Sequence, residues 1–129
     1  FRLAAELDAS HLPGVRFRPA SFVPTWDKHT GTRCHGVEVV VDDRGRFRPF
    51  RTGVACVAAA RAQDPGRFQW RTEAYEFVEH VPAFDLLCGS ARERKALERG
   101  MGWRDLAAEW AREERAFIKR RSRHLLYET

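Results

Sequence analysis

Between Phe22 and Val41 the chain reads FVPTWDKHTGTRCHGVEVVV, which crowds Trp26, Asp27, Lys28, His29, Cys34 and His35 into one connection between two strand-like runs. Side chains of these types support three chemistries. A metal site would draw on His29, Cys34 and His35, but structural zinc wants four ligands from two spaced pairs and only one cluster is present. Residues 34 and 35 would also point to opposite faces if they open a strand. A nucleophile would pair Cys34 with His29 or His35, yet no third orienting residue can be named. Asp27, Glu38, Glu73 and Glu76 are candidate carboxylates for hydrolysis, which needs separations that sequence does not give. The third option is the lip of a binding pocket. Lys28 would offer a point charge to an anion, His29 and His35 can donate or accept, and Trp26 and Phe22 can stack on a flat ring. Against it stands a plainer possibility, in which Phe22 and Trp26 are core and Lys28 and His29 solvate a turn.

Such a loop needs rigid elements to hold it. FRLAAELDASHL has the spacing of an amphipathic helix with Phe1, Leu3, Ala4, Leu7 and Leu12 available for burial. VRFRPASFVPT follows as a strand bent or edged by its prolines. HGVEVVVDD is the clearest strand, with Val37, Val39 and Val41 on one face and Glu38 and Val40 on the other. After a turn at Asp42 to Gly45, TGVACVAAARAQD predicts a helix ended by Pro65-Gly66, whose alanines let it lie close to a sheet. The segment RFQWRTEAYEFV carries Phe68, Trp70, Tyr75 and Phe77 as short strands or an anchored loop. PAFDLLCGS is a short helix stopped by Gly89, and Ser90 with Glu93 forms a capping-box pattern for a helix closed by Gly100. The last helix, WRDLAAEWAREERAFIKRRS, carries a packing stripe of Leu106, Ala107, Trp110, Phe117 and Ile118. The expected class is α+β: a small, mostly antiparallel sheet packed with helices in a single domain.

Composition narrows the classes. The 129 residues suffice for one core without disulfides. Three cysteines, widely spaced and odd in number, read as free thiols. No apolar run reaches the roughly 20 residues of a membrane helix, so no membrane partner is expected. The net charge of +5 invites a nucleic-acid role. Aromatic interleaving is missing, however, and the acid-first, base-last order of the final helix is what its dipole favours, so no nucleic acid is expected either.

The run from Phe17 to Ala55, containing FVPTWDKHTGTRCHGV and DDRGRFRPFRTG, and the later YEFVEHVPAFDLLCGS resemble the C-terminal domain of the NamZ exo-β-N-acetylmuramidase family. The likeness is ordered and spans nearly the whole chain. It implies residues 1–129 as the smaller, cleft-forming domain of a two-domain bacterial enzyme whose Rossmann-like N-terminal domain carries the main catalytic carboxylate. By that resemblance this chain holds no catalytic residue, needs no cofactor or metal, and is inactive alone. Its partners would be that N-terminal domain and a muramyl sugar, released from the non-reducing ends of peptidoglycan fragments in cell-wall recycling. The resemblance carries over Lys28, His29, Gly31, Cys34 and Gly36 in the loop, Arg51, Thr52 and Gly53 at the next helix, and Tyr75 with Glu76. Adding Trp26 and His35 from the loop's own chemistry, the expected substrate-binding set is Trp26, Lys28, His29, His35, Arg51, Thr52, Tyr75 and Glu76, with Cys34 expected to be buried and structural. Asp27 stands where the family more often has Ser, and Trp26 where it has a smaller aromatic. The first residue, Phe1, is already helical in pattern and suggests a piece of a longer polypeptide. The competing class is an interaction module that docks an acidic partner through the basic last helix. The cellular compartment is left open.

Overall fold

A computed structural model describes residues 1–127. Its elements run α1 (Arg2–Ala9), β1 (Val15–Phe22), β2 (Cys34–Val41), α2 (Pro49–Gln63), α3 (Ala83–Cys88), α4 (Arg92–Glu98) and α5 (Trp103–Arg121), followed by a 3-10 turn at Ser122–His124. The class is α+β, as the patterning predicts. The chain clusters into two compact units, residues 1–68 and 69–129.

In the first unit β1 and β2 pair antiparallel, with Val15 opposite Val41, Phe17 opposite Val39 and Phe22 opposite Cys34. Alternation places Val15 and Phe17 on the face that α1 covers, and both are buried with Ala4, Leu7 and Leu12. Arg16 and Arg18 take the other face and pair with Asp42 at 3.0 Å and Glu38 at 3.1 Å. A two-stranded sheet has two open edges, which is why Pro19 is tolerated inside β1. Asp8 of α1 accepts the Phe17 N–H at 3.1 Å, so helix and strand are joined by a hydrogen bond as well as by packing.

Gly14 sets the angle between α1 and β1. Its φ is +70°, and its carbonyl accepts the N–H groups of Asp42 and Asp43 at 3.1 and 3.3 Å. A methyl group there would lie 2.3 Å from the Asp43 carbonyl oxygen and 2.6 Å from the Phe47 nitrogen, so only glycine fits this approach of two backbones. Asp43 then closes the next turn, its Oδ1 accepting from Gly45 at 2.9 Å and Arg46 at 3.2 Å.

Helix α2 begins three residues earlier than Thr52, with Pro49 in its first turn, where the missing N–H costs nothing. Its buried residues Val54, Ala55 and Ala59 face α1 rather than the sheet. The Arg2 guanidinium clasps the end of α2, donating to the Gln63 side chain at 2.6 Å and the Gln63 carbonyl at 3.0 Å. Gln63 in turn donates to Glu6 at 2.7 Å. Phe1, expected to be buried, is fully exposed because it precedes α1 and projects from the N-cap position.

In the second unit the core is Ala83, Ala96, Leu97, Leu106 and Ala107, joined by two buried carboxylates. Asp85 of α3 is gripped by the Arg94 fork, Nε to Oδ1 at 2.8 Å and Nη2 to Oδ2 at 2.9 Å. Glu93 of α4 is 1% exposed and accepts from Ser90 at 2.8 Å, Arg92 at 2.8 Å and the Trp110 indole at 3.0 Å. The expected capping box does not form: α4 starts at Arg92 with Ala91 at the N-cap and no side-chain cap, because Ser90 donates to the Glu93 carboxylate, which instead ties α4 to α5 through Trp110. Gly89, at φ +74°, stops α3 as the sequence indicates.

The stripe of α5 is covered only in part. Leu106 and Ala107 are buried, but Phe117 and Ile118 are 50% and 46% exposed. The reason is length, since the helix of seven residues that packs on α5 spans ~10 Å against ~28 Å for α5 itself. No described helix is long and apolar enough to cross a membrane.

Candidate functional site

The connection between β1 and β2 is ordered by its own hydrogen bonds. Gly31 donates to the Pro24 carbonyl at 2.9 Å, Thr32 to the His29 carbonyl at 2.9 Å, and the Thr30 hydroxyl to the Asp27 carbonyl at 2.6 Å. Along this turn the backbone changes hand residue by residue: Asp27, His29 and Gly31 have φ of +61°, +58° and +73°, while Lys28 and Thr30 do not. Asp and His are among the few side-chain-bearing residues that accept this conformation readily, whereas Ser does so less well. Alternation of this kind is found in backbone anion cradles, although here the Gly31 N–H is already taken by the Pro24 carbonyl. The Lys28 ammonium belongs to the same turn and is exposed.

Trp26 is 79% exposed, so it is not core. Phe22, at the end of β1, is also exposed. His35 begins β2 beside Cys34, and its Nδ1 shares a hydrogen bond of 2.8 Å with the Ser21 hydroxyl across the strand pair. That contact fixes the ring and leaves Nε2 for another partner. An open depression of about 550 Å³ is lined by Arg2, Pro19, Ser21, His35 and Gln63 among others. Its lining includes His35 but not Trp26, Lys28 or His29, which stand on the loop. Cys34, expected to be buried, is half-buried, with its thiol directed at the Thr32 carbonyl at 3.6 Å.

Arg51 and Thr52 sit in the first turns of α2. Thr52 is 4% exposed and its hydroxyl donates to the Arg48 carbonyl at 3.0 Å, so it stabilises the helix start from within. Arg51 is half-buried, and its Nε is the one buried side-chain nitrogen or oxygen without a hydrogen-bond partner among the described residues. A desolvated guanidinium edge left in this state is unfavourable, and native chains keep few of them.

Tyr75 and Glu76 lie in the second unit. The Tyr75 ring packs under the Arg71 guanidinium at 5.3 Å, and Glu76 is exposed with a φ of +50°. The eight residues thus divide between the two units, six on the first and two on the second. Among the described residues no three His, Cys, Asp or Glu side chains converge on a point where a metal could be held. Phe77, beside Glu76, is absent from the motif-based set although it is fully exposed, and nothing in its sequence neighbourhood signals a turn.

Three comparisons bear on this geometry. The family model described as exo-beta-N-acetylmuramidase NamZ, C-terminal, matches residues 1–127. The peptidoglycan beta-N-acetylmuramidase NamZ of Bacillus subtilis (strain 168) is 35% identical over 125 residues, which cover 97% of this chain and 28% of that protein. The crystal structure of a DUF1343 family protein from Bacteroides fragilis NCTC 9343 superposes with a TM-score of 0.76 at 24% identity, covering 98% of this chain and 32% of that one. The chain therefore spans less than a third of the length of either relative.

Proposed function

The chain belongs to the NamZ C-terminal family, and from that membership we propose that it is the substrate-cleft half of a bacterial exo-β-N-acetylmuramidase. In this reading residues 1–129 close a saccharide site against a catalytic, Rossmann-like domain that precedes them in the same polypeptide. The substrate is a peptidoglycan fragment, from whose non-reducing end N-acetylmuramic acid is released during cell-wall recycling. The chain alone is then inactive, because the catalytic carboxylate lies in the other domain.

The observation that carries the proposal is the internally bonded turn at Asp27 to Gly31, whose backbone alternates in hand and which holds the Lys28 ammonium out in solvent. The muramyl lactyl group is a carboxylate, the ligand such a charge suits. Lys28 acts as its counter-charge, His29 and His35 exchange hydrogen bonds with ring hydroxyls, and Trp26 offers an apolar face. Arg51 offers its guanidinium to the sugar and Thr52 holds the helix turn that carries it, while Tyr75 and Glu76 are sugar-contact candidates of the second unit taken by itself. The test is hydrolysis of a β-linked N-acetylmuramyl–N-acetylglucosamine disaccharide by the full-length protein. Lys28→Ala should raise KM about tenfold, the loss of one charge-assisted hydrogen bond, with little change in kcat; an unchanged KM would remove Lys28 from the site.

A second reading has its own support. Residues 115–127 hold five Lys or Arg and no Asp or Glu, whereas the rest of the chain holds eighteen of each, so the whole net charge resides at the end of α5 and just after it. With Phe117 and Ile118 half exposed there, this segment suits an acidic partner. Salt-sensitive binding of an acidic polypeptide, abolished by Arg120→Glu with Arg121→Glu, would favour it.

A further inference from the structure

Residues 75–78 form a tight turn in which Tyr75 and Val78 exchange both backbone hydrogen bonds, Tyr75 N–H to the Val78 carbonyl at 3.2 Å and Val78 N–H to the Tyr75 carbonyl at 3.0 Å. The two residues between them, Glu76 and Phe77, have φ of +50° and +63°. Two consecutive left-handed residues define the hairpin turn that ordinarily takes Asn-Gly or Asp-Gly. A bulky aromatic residue in this conformation is an outlier. In most proteins such strain is compensated by packing of the side chain concerned. Here the Phe77 side chain is fully exposed, so no contact among the described residues offsets the unfavourable backbone. The base of the turn is nevertheless firm. The Tyr75 ring lies under the Arg71 guanidinium at 5.3 Å, and the Arg71 carbonyl accepts the Ala83 N–H at 3.2 Å, tying the turn to the start of α3.

We propose that Phe77 is a sugar-stacking platform, held out by the strained turn to receive the apolar C–H face of a pyranose ring, with the neighbouring Glu76 carboxylate accepting from a hydroxyl or acetamido N–H of the same sugar. The inference rests on the saccharide reading above and names a sugar-contacting residue within the second unit by itself. Three properties suit Phe77 to this work. It has only two side-chain torsions, so ordering it costs little entropy. Its flat apolar face is already presented to solvent on a firm support. A carboxylate adjoins it in the chain, and an exposed carboxylate is a pure acceptor for the polar rim of a sugar. Strain retained at an exposed tip is the pattern found where function, rather than folding, selects the residue.

The experiment compares the full-length protein with Phe77→Ala, Phe77→Trp and the double variant Glu76→Asn with Phe77→Gly. The probe is the β-linked N-acetylmuramyl–N-acetylglucosamine disaccharide, with KM, kcat and Tm as readouts. Phe77→Ala should raise KM about tenfold at unchanged Tm, which is the size of one lost aromatic contact. Phe77→Trp should retain the wild-type KM within a factor of about three, since it keeps the stacking face. The Asn-Gly turn should raise Tm by relieving the backbone while raising KM as much as Phe77→Ala does. An unchanged KM in Phe77→Ala overturns the inference. So does a fall in Tm and kcat at unchanged KM, which would make Phe77 a packing anchor. If the wild-type protein neither binds nor cleaves the disaccharide, the saccharide-cleft reading itself fails, and this inference with it.

Discussion

Trp110 of α5 donates its indole N–H to the carboxylate of Glu93 on α4 at 3.0 Å, and this bond joins the two helices at a buried charge. Burial pushes the Glu93 carboxyl up, but hydrogen bonds from Arg92, Trp110 and Ser90 together outweigh it and hold the group below its ordinary value. A carboxylate depressed on folding stabilises the native state at neutral pH, and that contribution is lost as pH falls from about 4.3 through the folded value. Glu93→Gln should therefore cost ~2–3 kcal/mol at pH 7 and flatten the acid limb of stability. Denaturation midpoints between pH 3 and pH 7 check both effects, and an acid limb as steep as in the wild type would contradict the assignment.

Cys88, at the end of α3, has its thiol pushed up to about 11 by burial first and then by the charges of Glu93 and Asp85. The neutral thiol is thus the folded form, and alkylation by iodoacetamide at pH 8 should be about 100-fold slower than in the denatured chain. The same shift means that stability is full below the ordinary thiol value of about 8.5 and declines as pH rises toward the folded value. Mass spectrometry of timed alkylation would show whether Cys88 is the protected site.

Gly14→Ala meets both a left-handed backbone and three backbone atoms closer than van der Waals contact, the nearest being the Asp43 carbonyl oxygen and the Phe47 nitrogen. A loss of ~3 kcal/mol is expected, since neither the Asp43 carbonyl nor the Phe47 nitrogen can move without opening the turn that precedes α2. Urea denaturation of the variant measures it. A loss under ~1 kcal/mol would show that the two turns separate easily.

Arg51→Met removes the unpartnered Nε while keeping the aliphatic stem. Stability should be equal or higher by ~0.5–1 kcal/mol, because a desolvated donor is deleted and its packing retained. On the saccharide-cleft reading, KM for the disaccharide should rise about tenfold in the same protein. A variant that loses stability and keeps its KM would make Arg51 structural.

What was legible beforehand follows from which signals are local. The strands announced themselves by alternation at Val15 and Phe17 and by the valines of β2, and the turn residues Asp43 and Gly89 did what their chemistry requires. Pro49 marks the start of α2, yet apolar spacing alone begins the helix at Thr52, because the run FRPFRT has no apolar period. Helical spacing put Phe117 and Ile118 on the packing stripe, yet whether a stripe is covered depends on the length of its neighbour, and α4 is short. The Ser90–Glu93 spacing reads as a capping box, but Glu93 instead meets Trp110, seventeen residues away, and no local pattern signals that contact. At the candidate site the polar crowding of Trp26 to His35 was visible, but the alternating hand of the backbone was not, since only Gly31 signals it. Glu76 and Phe77 carry no turn signal at all; their conformation is imposed by the Tyr75–Val78 pairing.

The Arg2 clasp on Gln63 brings the beginning of the first unit against the last turn of its final helix. Because one guanidinium holds both helices, loosening either partner should fray the two together, and an engineer choosing where to cut should keep Arg2 and Gln63 on the same side of the scissors.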